Sequence, residues 1–242
     1  EEHPRISTAE LEMLRSENRS TEPSAAATKV RWRDLLRLPQ TWGVIAARAF
    51  TDPVWYFVTD WFPIYLVAKG IDLRNGLIAI WVPFLAADLG NFAGGAASGF
   101  LIRRGWSLGW ARKAVVIVGG CGTMLLIPTV FTQNLWIITA LFAMSTFSYA
   151  CFTTIANVLP SDLYNSNAVA TVSGLSGTGS GIGTIIAMKA VGYLSDARIA
   201  DKGHVFDPIV IASGIIPLIG AVLVLLLVRN TRATREGLVR PI

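Results

Sequence analysis

Charge is scarce in this chain: only 15% of its 242 residues are Asp, Glu, Lys or Arg, and it holds just two cysteines and two histidines. His3 lies in the polar N-terminal stretch, His204 in a connection between apolar runs, and Cys121 and Cys151 within such runs. That excludes a disulfide framework and leaves no histidine for a metal or nucleophilic site inside the apolar segments; the cysteines read as small packing residues. No HExxH, nucleophile elbow or GK[ST] phosphate loop is present, so enzyme chemistry on lipid or nucleotide has no visible machinery, and no metal or organic cofactor is expected. An enzyme acting on lipid would reveal itself by turnover without transport.

What the chain has is apolar surface. Hydrophobic residues make up 52% of it and the mean hydropathy is +0.51, values wrong for a soluble domain. The apolar residues cluster in windows at 76–102, 114–131, 135–158, 168–194 and 209–228. Each is near or above the ~20 residues a helix needs to cross about 30 Å of hydrocarbon. A further window from Trp42 to Val67 is interrupted by Arg48, Asp52 and Asp60. Backbone groups in lipid must be satisfied within the segment, and no barrel-like alternation appears, so six transmembrane helices are expected.

The net charge of +5 does not point to nucleic acid, because of where the charges lie. Lys29, Arg31, Arg33 and Arg37 precede the first span, Arg103, Arg104, Arg112 and Lys113 follow the second, and Arg229, Arg232, Arg235 and Arg240 follow the last. The opposite face has only Lys69, Arg74, Arg198 and Lys202, so the positive-inside rule places both termini in the cytoplasm.

The first residue is Glu1 and no signal peptide pattern precedes the polar start, so the chain is expected to begin mid-protein or after processing. Three regions are expected: a cytoplasmic segment 1–39, a membrane bundle 40–230 and a cytoplasmic tail 231–242. Within the first, Ser7 and Glu10 have capping-box spacing for a helix over 7–19, residues 20–27 read as a linker, and 31–38 as an amphipathic surface helix ended by Pro39, or simply a basic topological stop. Connections are expected at 69–75, 103–113, 132–134, 159–167 and 195–208. Pro53, Pro63, Pro83, Pro128 and Pro217 allow kinks within spans. Trp61, Trp81, Trp106, Trp110 and Trp136 lie near span ends, as in an aromatic belt.

Residues 48–56, RAFTDPVWY, carry the strongest local signal. Helical spacing puts Arg48, Asp52, Trp55, Tyr56 and Thr59 on one face. An unpaired charge inside a membrane costs at least ~2.5–3.5 kcal/mol, so Arg48 and Asp52 should pair and face a protein interior or watery cavity. That face is either a site for a substrate anion or coupling ion, or a gating salt bridge. Asp60 reads as hydrated near a span end. Asp88 and Asn91 share a face of the next span and suit either ion coupling or a gate. Among the hydroxyls at Ser145, Thr146, Ser148, Tyr149, Thr153 and Thr154, most can bond back to their own helix, so Asn157 is the best cavity-facing candidate, or else forms a hydrogen bond between helices of the bundle. Gly177/Gly181 and Gly179/Gly183 have the small-xxx-small spacing of close helix contact, with Ser173 and Ser176 as weaker site candidates and Lys189 as a snorkelling lysine.

Four blocks in order, RAFTDPVWY (48–56), VPFLAADLGNFAGG (82–95), LIRRGWSLGWARK (101–113) and LPSDLY (159–164), resemble the anion:cation symporter family of the major facilitator superfamily, particularly its hexuronate transporters. The opening EEHPRIS is similar to the end of these carriers' central cytoplasmic loop. The resemblance implies an all-α bundle of six spans forming the C-terminal half of a twelve-helix carrier in a bacterial inner membrane, whose N-terminal half would be its partner. It implies proton-coupled import of an organic anion by alternating access, much of the coupling machinery lying in the other half. Arg48 would meet the anion or its gate, Trp55 and Tyr56 the sugar-acid face and Asn157 its hydroxyls, with Asp52 and Asp88 tuning Arg48 or supporting the gate. Arg103 and Arg104 belong to a segment similar to the basic gate loop; where the family commonly has an acid, this chain has Ser98 and Gly99. A non-transporting scaffold or sensor derived from a carrier half remains the alternative.

Overall fold

The computed structural model describes residues 31–71, 73–198 and 204–228, all within the compact unit Arg31–Ile242. The capping box at Ser7 and Glu10, the helix at 7–19, the linker at 20–27, Lys29, Lys202 and the tail with Arg229, Arg232, Arg235 and Arg240 lie outside the described residues. Those described form helices and no strand: α1 (Trp32–Leu36), α2 (Pro39–Ala68), α3 (Leu73–Arg103), α4 (Leu108–Gly122) continued by 3-10 turns Thr123–Phe131, α5 (Leu135–Leu163), α6 (Ser166–Ala197) and α7 (Asp207–Leu227).

Six long helical rods therefore stand where six apolar windows were expected. Three of them, Leu108–Phe131, Leu135–Leu163 and Asp207–Leu227, are long and apolar enough to cross a membrane by length and composition. The others, of 30, 31 and 32 residues, exceed the ~20 needed but are more polar: α2 carries Arg48, Asp52 and Asp60, α3 carries Asp88, and α6 is rich in Gly, Ser and Thr.

Element ends follow local chemistry. Pro39 opens α2 rather than closing α1; its missing N–H costs nothing in a first turn. α2 and α3 both end in the same glycine-based cap. Gly70 (φ +80°) and Gly105 (φ +89°) adopt the left-handed conformation, and the next residues, Ile71 and Trp106, donate to the carbonyls of Leu66 and Leu101. Ser107 caps α4 by accepting from Trp110 N–H, and Asn134 caps α5 by accepting from Trp136 and Ile137.

Two expected boundaries are corrected. The connection at 159–167 shrinks to Tyr164 and Asn165, because α5 continues through Pro160 to Leu163. The rod expected at 114–131 is not one α-helix: after Gly122 it tightens into 3-10 turns. Pro128 cannot donate to an α-helical ladder, and the hydroxyls of Thr123 and Thr129 bond instead to the carbonyls of Gly120 (2.7 Å) and Leu126 (2.6 Å).

Packing is reciprocal between the first and second three long helices. α2 packs mainly on α6 and α7, α5 mainly on α3 and α4, and α2 meets α5 between them. Glycines permit the close crossings. A Cβ on Gly94 of α3 would fall 2.7 Å from the Cys151 Cα of α5, and one on Gly183 of α6 would collide with the Ala49 carbonyl of α2. Of the two expected glycine pairs, Gly179/Gly183 abuts Ile45 and Ala49, whereas Gly177 borders Arg48 and Gly181 faces open space.

The two ends differ. At one, Phe62, Tyr65, Phe142 and Phe206 form an aromatic plug, with Phe62 and Phe142 ring centres 4.2 Å apart. Lys69 there donates to the Val130 carbonyl (2.7 Å) and lies 3.8 Å from Asp207, which also meets His204. At the other, Tyr164 joins α2 through Thr41, whose hydroxyl donates to the Leu35 carbonyl of α1. The segment carrying Arg103, Arg104 and Arg112 lies at this second end: Arg112 of α4 reaches Asp162 of α5 and Ser98 of α3.

Candidate functional site

Near the middle of α2, α3 and α5 a cleft of about 370 Å³ opens between the three helices, lined by Arg48, Asp52, Trp55 and Tyr56, by Ala87, Asp88 and Asn91, and by Tyr149, Ala150, Thr153 and Asn157. That volume falls in the ~300–1,000 Å³ range of small-molecule sites. Larger apolar grooves lie elsewhere on the helices, but their walls hold almost no polar group and so offer nothing to orient a polar ligand.

The α2 face arises as its spacing requires. Arg48 and Asp52 are one turn apart, and Arg48 Nη2 and Nε lie 3.1 Å and 3.2 Å from Asp52 Oδ2. Two more donors complete the carboxylate: Ser180 Oγ of α6 donates to Oδ2 at 2.5 Å, and Thr153 Oγ1 of α5 to Oδ1 at 3.3 Å. Asp52 is buried and fully engaged, whereas the Arg48 side chain keeps 26% of its surface exposed. Its second terminal nitrogen, Nη1, makes no hydrogen bond among the described residues, and a Cβ on Gly177 would sit 3.8 Å from it.

An aromatic wall borders the charged pair. Trp55 stacks on Tyr149 with ring centres 5.8 Å apart and planes 10° apart, and meets Phe84 edge-on at 5.5 Å. Tyr56 is exposed beside them. On α3, Asn91 accepts from Thr154 (2.9 Å), while exposed Asp88 has neither a hydrogen bond nor an ion pair among the described residues.

The cleft thus gathers Arg48, Asp52, Trp55, Tyr56, Asn157, Asp88 and Asn91, the last two reached from the sequence as a gate or coupling pair. Ser173 and Ser176 lie outside its lining; Ser176 donates to the Ser173 carbonyl within α6. Ser180, one turn further along, reaches Asp52 instead. Sequence reasoning passed over it because it stood among glycines read only for spacing, and passed over Tyr149 and Thr153 because hydroxyls in apolar helices mostly bond to their own backbone. Arg103 and Arg104 are exposed and form no ion pair among the described residues; Arg104 lies over the Phe100 ring at 4.5 Å. The ion pair near this loop belongs to Arg112, 2.8 Å from Asp162 and 3.0 Å from Ser98, so Ser98 accepts from the arginine where an acid would have paired with it. Asp60 and Lys189 are exposed.

The cleft offers a guanidinium, aromatic faces, amides and a carboxylate. The chain is 32% identical over 185 residues to the D-galactonate transporter of Escherichia coli O6:H1, covering 76% of this chain and 41% of that protein. It is 32% identical over 209 residues to the probable galactarate/D-glucarate transporter GarP of Escherichia coli K12, covering 80% and 46%. It is 26% identical over 240 residues to the hexuronate transporter of Escherichia coli K12, covering 96% and 54%. The chain spans about half the length of these relatives, all of them transporters and none an enzyme. With residues 8–188, and again 108–240, matching its family pattern, the chain belongs to the Major Facilitator Superfamily.

Proposed function

We propose that this chain is the C-terminal six-helix half of a twelve-helix secondary carrier that imports a small organic anion, a hexuronate or related sugar acid, in symport with protons. The observation that carries the reading is the mid-helix cleft in which Arg48, held by Asp52, stands beside the Trp55/Tyr149 stack. A carboxylate seats on the N–H groups of Arg48 that Asp52 leaves free, the sugar carbons lie along Trp55 and Tyr56, and Asn91 and Asn157 meet the hydroxyls. Sugar acids appear in the names of the relatives above, and the chain's share of their length fits one half of such a carrier.

The other half would close the cleft from the opposite side, forming the site between two bundles that rock against each other. In this reading residues 40–230 form the bundle in a bacterial inner membrane, and 1–39 and 231–242 are cytoplasmic on the strength of their basic charge. The Arg112–Asp162–Ser98 cluster, with Arg103 and Arg104 beside it, works at the cytoplasmic gate. Ser173 and Ser176 take no direct part.

The test is uptake of labelled hexuronates and galactonate by the full-length protein in proteoliposomes under an imposed inward proton gradient. The expected result is gradient-dependent accumulation that Arg48→Ala abolishes while inserting normally. Normal uptake by that variant would remove Arg48 from the site and with it the anion assignment.

A further inference from the structure

We infer that an anionic phospholipid binds away from the cleft, with its acyl chain in the apolar groove between α3, α4 and α5 and its head group on Arg103 and Arg104. The inference needs only a chain that stands in a membrane, and is independent of the sugar-acid reading. The groove encloses about 380 Å³, lined by the small residues Gly94, Ala97 and Ala114 and by the larger, exposed side chains of Phe100, Val118 and Phe147. It lies on the far side of its helices from the cleft. Two positions along an α-helix turn the side chain by ~200°. Cys151, which lines the groove, stands two residues from both Tyr149 and Thr153, which line the cleft, and Ala93 of the groove stands two from Asn91 of the cleft. A second bundle closing over the cleft therefore leaves this groove to the bilayer.

Charge gathers at one end of the groove. Arg103 and Arg104 follow Phe100 by three and four residues, which puts them over the same face of α3, and the Arg104 guanidinium lies 4.5 Å from the centre of the Phe100 ring. Both arginines are exposed and form no ion pair among the described residues, whereas nearby Arg112 is held by Asp162. Between Asp88 and Asp162 the sequence has no Asp or Glu, so the segments that build the groove bring no acid to its mouth. Exposed Trp106 and Trp110 stand at the same end, where indole side chains settle at head-group level. An acyl chain fills a wall almost without polar groups, and a phosphodiester at its end meets two guanidiniums that bond phosphate oxygens in pairs. The attraction favours a lipid of net negative charge over a zwitterionic one, whose own ammonium offsets its phosphate.

The experiment is native mass spectrometry of the full-length protein, equilibrated in detergent with palmitoyl-oleoyl phosphatidylglycerol or with the phosphatidylcholine of the same chains. Wild type should retain at least about threefold more of the anionic lipid. Arg103→Gln/Arg104→Gln should carry one phosphatidylglycerol fewer per protein. Ala97→Phe, which fills the groove from an exposed position, should lose one as well, and combining the three substitutions should lose no more than that one. Glycerophosphoglycerol, the head group without chains, should not displace the lipid when added in excess. Equal retention of the two lipids by wild type, a measurement that needs no variant, overturns the inference. So does an unchanged phosphatidylglycerol count in either variant, a further loss in the combined one, or displacement by the chainless head group.

Discussion

Ser180 of α6 donates to the same Asp52 oxygen that Arg48 grips from one turn away on α2, so a single carboxylate ties together the guanidinium and the glycine-rich helix. Removing the carboxylate should therefore harm the fold as well as transport. Asp52→Ala leaves Arg48 unpaired and should cost about 2–3 kcal/mol, less than the ~3–5 kcal/mol of a fully buried pair because the Arg48 side chain is 26% exposed. The double variant Arg48→Ala/Asp52→Ala should recover part of that loss. Thermal unfolding of the four forms in detergent gives the coupling directly, and strict additivity would show that the pair contributes nothing to stability.

Gly183 and Gly181 look alike in sequence and differ in surroundings. Gly183→Leu drives a side chain into the Ala49 carbonyl and should destabilise the α2–α6 crossing by about 1–3 kcal/mol or more, whereas Gly181→Leu points into open space and should leave stability nearly unchanged. Monodispersity and melting temperature of the two variants make the comparison, and equal behaviour would contradict the crossing.

At the end of the bundle that holds Arg112, Arg112→Ala should cost about 1–2 kcal/mol by leaving partly buried Asp162 without its cation. The exchange Arg112→Asp/Asp162→Arg should restore part of the stability. Uptake measured alongside should fall more in maximal rate than in half-saturation concentration, since neither residue lines the cleft.

Burial pushes the Tyr164 phenol above its usual range, with its hydrogen bond to Thr41 opposing the shift. A raised value means that the neutral phenol is favoured in the fold. Its contribution is complete below the unfolded value of ~10 and is lost as pH rises through the folded value. Tyr164→Phe should accordingly lower stability at neutral pH by about 1 kcal/mol and flatten the alkaline limb of the melting curve above pH ~10. An unchanged alkaline limb would assign the loss to other groups.

Much of this molecule could be read from its sequence because long, largely apolar helices announce themselves through local composition. The six rods and the Arg48–Asp52 pair both depend on neighbours within a few residues. Helical period alone placed Trp55 and Tyr56 on the face that lines the cleft. What could not be read depends on which faces meet. Ser180 and Asp52 are 128 positions apart, and nothing in the pattern of α6 tells its serines apart. Arg112 and Asp162, 50 apart, stood in segments read as connections, because a proline and charges depress hydropathy even where the helix continues. The 3-10 turns were half legible: Pro128 announced an interruption, but nothing in the pattern set its length at the nine residues Thr123–Phe131.

The exchange of partners between the two groups of three long helices bears on how the protein is made. Emerging from the ribosome in order, α2 has to wait for α3, α4 and α5 before α6 and α7 arrive to cover it, while α5 finds α3 and α4 already synthesised. Until α6 and α7 are made, the helix bearing the arginine has only its smaller contacts with α3 and α5, and a chain stopped before α6 would expose the surface of Ile45 and Ala49 that Gly179 and Gly183 later cover.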